Sequence, residues 1–184
     1  MNHETHAPLI GIAGFKRAGK DTLARAIRQL NGYRIIGMSD AIVEEVRSAT
    51  GFEISDAMKD QPVPGSPGTT FRDLLIRHGT QRRQVLNSYW IDKMAATVAT
   101  SLLAGRGVIV TGVRLDEEFH WIHGNGGQVI WVSRCGVDSD GTYTEPDQAQ
   151  RCDIHVVNDG NIDVLASHTL DRLRQQRAIV LNAA

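Results

Sequence analysis

The sequence predicts an α/β protein built on a parallel sheet of about five strands, with helices covering both faces. Three observations predict it. Short apolar, β-branched runs recur along the 184 residues, helical periodicity fills the intervals between them, and the first run opens directly into a glycine-rich turn that ends in a lysine. Short runs that are apolar throughout, rather than alternating, are how strands buried on both faces read. Alternating strands and helices make those strands parallel.

Taken in order, the first strand is predicted at Pro8-Leu9-Ile10-Gly11-Ile12-Ala13, followed by the turn Gly14 to Thr22 and a helix over 20–31. Tyr33-Arg34-Ile35-Ile36-Gly37-Met38 gives a second strand, and the spacing after it predicts a helix over 40–50. Gln61 to Gly68 holds three prolines and two glycines, so it reads as a loop. Helical patterns over 70–86 and 88–104 follow, with Gly79-Thr80 interrupting the first. Val108 to Thr111, Val129 to Val132 and Ile154 to Val157 complete the strands. A helix over 115–124 lies between the first two of these, and one over 162–176 follows the last. The final helix has Asn161 as its N-cap, with Ile162, Leu165, Ala166, Thr169, Leu170 and Leu173 on one face. The expected organisation is a single domain over 1–184, with 1–7 flexible and a polar stretch of about 136–153 placed to cover a ligand as a lid.

Composition narrows the function classes. With 41% hydrophobic residues and no long low-complexity segment, the chain can bury a full core. No apolar run approaches the roughly 20 residues that span a bilayer. The polar start Met1-Asn2-His3-Glu4-Thr5-His6 does not read as a secretion signal. A soluble, cytoplasmic protein with no membrane association is expected. Cys135 and Cys152 lack metal-ligand spacing and read as reduced thiols. The net charge of -1, from 20 basic and 21 acidic side chains, sets up no field for a long polyanion. Small phosphorylated ligands fit better.

The segment Gly14-Phe15-Lys16-Arg17-Ala18-Gly19-Lys20-Asp21-Thr22 reads as a phosphate-binding loop. Glycines at 14 and 19 permit close approach, so the backbone N–H groups of Lys16, Arg17 and Ala18 between them can surround a phosphate. Lys20 adds a point charge for the outer phosphates, and Thr22 is placed to hydrogen-bond an inner one. The helix that starts here also turns its positive end to the anion. A glycine-lysine pair alone is equally an ordinary surface turn; the strand before it and the helix after it supply the context the motif requires. Asp21 occupies the position where a magnesium-binding hydroxyl is usual. Either it holds magnesium, which would bridge it to the triphosphate, or it complements the helix N-terminus.

Along nearly its whole length the chain resembles the phage and prophage deoxynucleoside monophosphate kinase family. Four stretches carry the resemblance: Gly14 to Thr22; Arg72-Asp73-Leu74-Leu75-Ile76-Arg77-His78-Gly79-Thr80 with Trp90 after it; Val113-Arg114 with Glu118; and Val157-Asn158-Asp159-Gly160. The resemblance implies a P-loop NTPase fold of the nucleoside monophosphate kinase type with a small lid. It also implies transfer of the ATP γ-phosphoryl group to a deoxynucleoside monophosphate, giving dNDP and ADP, with Mg2+ as cofactor. A phage-encoded member would work in the host cytoplasm, and a homodimer is compatible with the sequence. Two features depart from the family. Gly112 stands where members commonly carry an aspartate, which shifts the metal burden onto Asp21, with Asp40 and Asp116 as further candidates. The lid lacks a His-x-Ser-Glu stretch, for which Thr144-Glu145 is only a partial counterpart.

Phosphoryl transfer needs two anions held in line and the charge on the moving group neutralised. Lys20, Asp40, Arg72, Arg114 and Arg134 are the candidate catalytic residues. Arg72 is assigned to the acceptor phosphate because a guanidinium fork matches phosphate bidentately. Arg77, Arg82 and Arg83 read as the wet face of a helix. Gly79 and Thr80 offer close backbone approach and a hydroxyl to substrate, or simply a break between helices. Trp90 either stacks on a nucleobase or fills the core, whereas Trp121 and Trp131 read as structural. Asp40 orients acceptor or metal, or caps a helix. Arg114 contacts phosphate, or forms an i,i+4 pair with Glu118. Arg134 and Arg151 flank the lid, where they can reach the γ-phosphoryl group. Asn158 and Asp159 fall where the family resemblance puts adenine.

Two other functions fit the same residues. A kinase of the same fold could phosphorylate a hydroxyl, such as that of a hydroxymethylated pyrimidine in phage DNA, with Asp40 as the general base. A nucleotide-binding regulatory protein without turnover would explain Gly112 simply.

Overall fold

In the computed structural model, which describes residues 7–139, 141 and 148–182, strand β1 (Leu9–Ala13) is buried at every position. Its full burial follows from its place in the sheet. Among the described residues the strand order is β2-β3-β1-β4-β5, with β2 Arg34–Gly37, β3 Val108–Thr111, β4 Gln128–Ser133 and β5 Ile154–Val157. All pairings are parallel, with Leu9 opposite Val108 and Ile10 opposite both Ile109 and Gln128. Parallel strands need long crossovers, and helices supply them.

The helices are α1 (Lys20–Asn31), α2 (Asp40–Thr50), α3 (Phe71–Val85), α4 (Tyr89–Leu103), α5 (Asp116–Gly124) and α6 (Ile162–Asn182). Every predicted strand and helix is present. The prolines and glycines of 61–68 form a loop, with a single antiparallel bridge between Pro62 and Thr70. One correction concerns Gly79-Thr80, which does not break a helix. Helix α3 runs through it, started by a reciprocal cap in which Asp73 N–H donates to Thr70 Oγ1 and Thr70 N–H donates to Asp73 Oδ2. The last helix also runs past residue 176, because nothing in Arg177-Ala178 stops it.

The chain divides into two units, one of residues 1–37 and 97–184 and one of residues 38–96. The boundaries follow β2 and fall within α4. In the first, the sheet unit, Ile10 and Ile12 of β1 share a buried cluster with Leu23, Ala24 and Ile27 of α1, and with Ala166, Leu170 and Leu173 of α6. Burying each such isoleucine or leucine contributes roughly 1.5–3 kcal/mol. Asn161 caps α6 as expected, its Oδ1 accepting from the N–H groups of Asp163 and Val164 at 2.9 and 3.2 Å. Helix α5 contacts β1 and β4, and Gly11 leaves the room that Ile122 of α5 fills, since a Cβ there would lie 2.7 Å from it.

The second, helical unit contains α2, α3 and the start of α4. Its apolar interior includes Val46, Phe71, Leu75, Trp90, Ile91 and Met94. Phe52 packs edge-on against Phe71, with ring centroids 5.4 Å apart.

Candidate active site

The turn after β1 curls because three residues take left-handed backbone conformations: Gly14 at φ 137°, Arg17 at φ 69° and Gly19 at φ 97°. The first of these must be glycine, since a Cβ at Gly14 would sit 2.2 Å from the carbonyl oxygen of Val132 in β4. Arg17 holds the conformation with a side chain, at a strain of roughly 1–2 kcal/mol. Gly19 is the N-cap of α1, and no side chain bonds the first-turn amides from that position. A helix N-terminus left without a side-chain cap presents its N–H groups and positive dipole to an incoming anion.

Lys20 lies over this turn, its Nζ donating to the carbonyls of Gly14 and Phe15 at 2.8 and 2.7 Å. The ammonium is therefore held above the loop by the loop's own backbone. Asp21 and Thr22 are exposed in the first turn of α1, and Lys16 and Arg17 are exposed on the loop. Ala18 is buried, and its carbonyl accepts from Nδ2 of Asn158 at 2.9 Å.

Beside the loop lies a cavity of about 500 Å³ lined by Gly19, Thr22, Arg134, Cys135, Asn158 and Asp159, among others. It opens at the carboxyl edge of the parallel sheet, where open α/β sheets place their ligands. The structure thus brings the loop, Arg134, Asn158 and Asp159 together. Sequence reasoning missed Cys135, although it follows Arg134 directly past the end of β4.

Between β3 and α5 the Arg114–Glu118 helix pair, the alternative to a phosphate contact, takes a different form. Arg114 precedes the helix, so no i,i+4 pairing on one helix exists. Glu118, only 7% exposed, instead accepts the backbone N–H groups of Arg114 and Leu115 at 2.6 and 3.0 Å. It closes the start of α5, while the Arg114 side chain is exposed. Gly112, at the end of β3, has φ 79° and open space where a side chain would be. Glycine adopts such a backbone conformation without steric cost.

Asp116 and Arg151 form an ion pair, joined by Gln148, whose Nε2 donates to Asp116 Oδ1 at 3.0 Å. The hydrogen bond from Arg151 and then that from Gln148 hold the Asp116 carboxyl below its ordinary range. Arg151 also lies over the ring of Phe119, 5.4 Å from its centroid. The centre of the expected lid, including Thr144-Glu145, falls outside the described residues.

The helical unit carries Asp40, Arg72, Gly79, Thr80 and Trp90. Asp40 is the exposed first residue of α2. Arg72 donates from Nε to Asp60 Oδ1 at 2.6 Å, with its side chain 36% exposed. Thr80 is half-buried in α3. Trp90 is a core residue, 3% exposed, whose indole N–H donates to the carbonyl of Gly79 at 2.9 Å and whose ring meets Tyr89 edge-on. That hydrogen bond accounts for both residues locally.

One polar cluster escaped the sequence reading. Glu45 of α2 receives His78, Tyr89, Lys93 and Arg82 from α3 and α4, at 2.9, 2.6, 2.6 and 3.3 Å. Burial alone would raise its carboxyl, but hydrogen bonds from Lys93, Tyr89 and His78 outweigh that and lower it to about 2. Of the arginines read as the wet face of α3, Arg77 and Arg82 are both exposed, and Arg82 joins this cluster.

No protein-family model matches the chain, and no curated protein matches it. Solved structures do. TT1252 from Thermus thermophilus has a TM-score of 0.55 at 18% identity, covering 93% of this chain and 98% of its own. The APS kinase of Mycobacterium tuberculosis in complex with AMPPNP and APS has a TM-score of 0.54 at 13% identity, covering 92% and 98%. A gluconokinase from Sinorhizobium meliloti has one of 0.50 at 14% identity, covering 97% and 98%. The chain shares its fold, a five-stranded parallel sheet flanked by helices, with these structures, of which the APS kinase and the gluconokinase are P-loop kinases. Among the described residues no helix is long and apolar enough to cross a membrane, and no group of three or more His, Cys, Asp or Glu side chains is placed to hold a metal ion.

Proposed function

We propose that this chain is an ATP-dependent phosphotransferase whose acceptor is a deoxynucleoside monophosphate. The observation that carries the donor half is the loop itself: left-handed glycines, a helix N-terminus without a side-chain cap, and an ammonium seated over the turn. A triphosphate fits that arrangement, with its outer phosphates replacing the carbonyls of Gly14 and Phe15 as partners of Lys20. Lys20 then stabilises charge on the moving phosphoryl group. The neighbouring cavity, with Asn158 and Asp159 at its wall, suits the adenine end. Arg134 lines the same cavity and is a candidate for the γ-phosphoryl group as transfer proceeds.

Magnesium fits the residues present. It is bound by one or two carboxylates together with substrate phosphates and retained waters, so a closed cage of protein ligands is not required. Asp21, exposed in the first turn of α1, is the carboxylate beside the phosphate site. Asp116 is committed to Arg151 and Gln148, and Gly112 supplies nothing. When bound, the ion would neutralise charge on the outer phosphates.

The acceptor half rests on the resemblance of the segment Arg72 to Thr80 and of Val157 to Gly160 to the deoxynucleotide kinases. Arg72 is proposed to bind the acceptor phosphate and Arg114 to assist, while Asp40 orients the acceptor. A hydroxyl acceptor is the second reading, favoured by the likeness to a gluconokinase, whose name gives an acceptor without a phosphate. Incubation with ATP, magnesium and separate acceptors tests both. ADP release with deoxynucleotides alone supports the first reading. Release with a sugar acid, or label transfer to hydroxymethylated DNA, replaces it with the second. ATP binding without turnover on any acceptor would leave a regulatory protein.

A further inference from the structure

The side-chain amide of Asn158 reaches from the end of β5 into the phosphate loop. Its Nδ2 donates to Ala18 O at 2.9 Å, and a Cβ on Gly19 would lie 2.0 Å from that same nitrogen. Asn158 is itself anchored. Its backbone N–H donates to Ser133 O at 2.8 Å, and Ser133 Oγ donates to Val156 O at 3.3 Å, so the ends of β4 and β5 are tied together. At the other end of the loop, Gly14 is pressed against Val132 O of β4. The two glycines of the turn are therefore braced by the carboxyl ends of two adjacent strands.

This bracing has a geometric effect. The Ala18 carbonyl and the Gly19 N–H belong to one planar trans peptide and point in opposite directions. Holding the carbonyl toward Asn158 fixes the N–H on the other side. The amide cannot rotate end for end without setting its own oxygen against Ala18 O, so the donor end stays on the loop. We infer that Asn158 is a positioning residue for the phosphate cradle, acting on a bound triphosphate through the Ala18–Gly19 peptide and not only through the base end of the cavity it lines. The inference rests on the phosphate-loop reading above.

The test removes the donor while keeping the bulk. Wild-type protein, Asn158→Leu and Asn158→Ala are titrated calorimetrically with magnesium ATP and with magnesium tripolyphosphate, which has neither base nor sugar, and their melting temperatures are recorded. Both ligands are expected to bind about fivefold more weakly to the folded variants, the factor that one hydrogen bond of ordinary strength corresponds to. The weakening should be similar for the two ligands and for the two variants. A merely structural role would lower the melting temperature and leave the affinity of the folded fraction unchanged. Unchanged tripolyphosphate affinity, with or without a weaker ATP affinity, overturns the inference and makes Asn158 at most a base contact. If wild-type protein binds neither ligand, the phosphate-loop reading falls as well, an outcome distinct from a variant that fails to differ.

Discussion

Glu45 accepts a 2.6 Å hydrogen bond from the hydroxyl of Tyr89, a residue 44 positions away along the chain. With His78, Lys93 and Arg82 on the same carboxylate, one largely enclosed charge fastens α2 to α3 and α4. Its carboxyl titrates at about 2 when folded, against an ordinary 4.5. A folded value below the unfolded one adds stability that is complete above about pH 4.5 and disappears as pH falls toward 2. Glu45→Gln is expected to lower stability at pH 7 by roughly 2–3 kcal/mol. It should also flatten the loss of stability between pH 5 and about pH 2. Urea denaturation across that range measures both, and an unchanged acid limb would refute the assignment.

Gly14→Ala forces a side chain into Val132 O and requires φ 137° of a residue that resists it. Stability should fall by at least about 2 kcal/mol, and magnesium ATP binding should be lost. Gly32→Ala is the control. Gly32 also has a left-handed backbone, φ 68°, but no atom lies within 4 Å of the added carbon. That variant should lose about 1 kcal/mol and bind ATP normally.

Lys20→Ala should reduce turnover at least about a hundredfold while weakening ATP binding less than tenfold, because only interactions that strengthen in the transition state accelerate chemistry. Single-turnover rates and ATP-analogue binding separate the two effects. Intact turnover would remove the kinase reading.

Asp21→Ala should raise the magnesium concentration needed for half-maximal activity and leave the melting temperature unchanged. The reverse pattern would mean that Asp21 only complements the helix dipole.

Arg72 is paired with Asp60 in an exposed contact, which is worth at most about 1 kcal/mol and is easily exchanged for a phosphate. Arg72→Ala should raise the acceptor Michaelis constant at least about tenfold. Arg72→Lys should recover part of the loss, since it keeps the charge but not the planar fork. Asp60→Ala should leave that constant unchanged or lower it. Steady-state kinetics with the acceptor varied decides; equal constants for wild type and Arg72→Ala would reassign the role.

Much of the fold was legible because its signals are local. The glycine-lysine turn that ends in Gly19 and Lys20 marked the start of α1, and Gly19 is its N-cap. The inner strands β1, β3 and β4 were legible because burial makes their composition uniform; the edge strands β2 and β5 are buried only in part, so the expectation of burial on both faces fails there. Gly79 misled because glycine lowers helix propensity, whereas here the helix is held by the Thr70–Asp73 cap and by the Trp90 indole on the Gly79 carbonyl. At Glu118 the four-residue spacing was visible but the partner was not. Spacing along a helix cannot tell a side-chain partner from a backbone N–H just ahead of the first turn. The Asn158–Ala18 bond spans 140 residues and Arg72–Asp60 crosses a loop, so neither leaves a mark on local pattern.

The order of the strands also bears on how the chain is made. Of the five strands of this sheet β1 leaves the ribosome first, yet residue 9 pairs with residue 108 and residue 10 with residue 128. The central strand therefore emerges long before either neighbour exists, while residues 38–96, one continuous stretch, emerge complete in between. Pairing that depends on such distant partners is slow and leaves apolar edges exposed during synthesis. Until residues 108–111 and 128–133 have been made, β1 lacks both of its neighbours and stays open and aggregation-prone, so folding of the phosphate loop must wait for them.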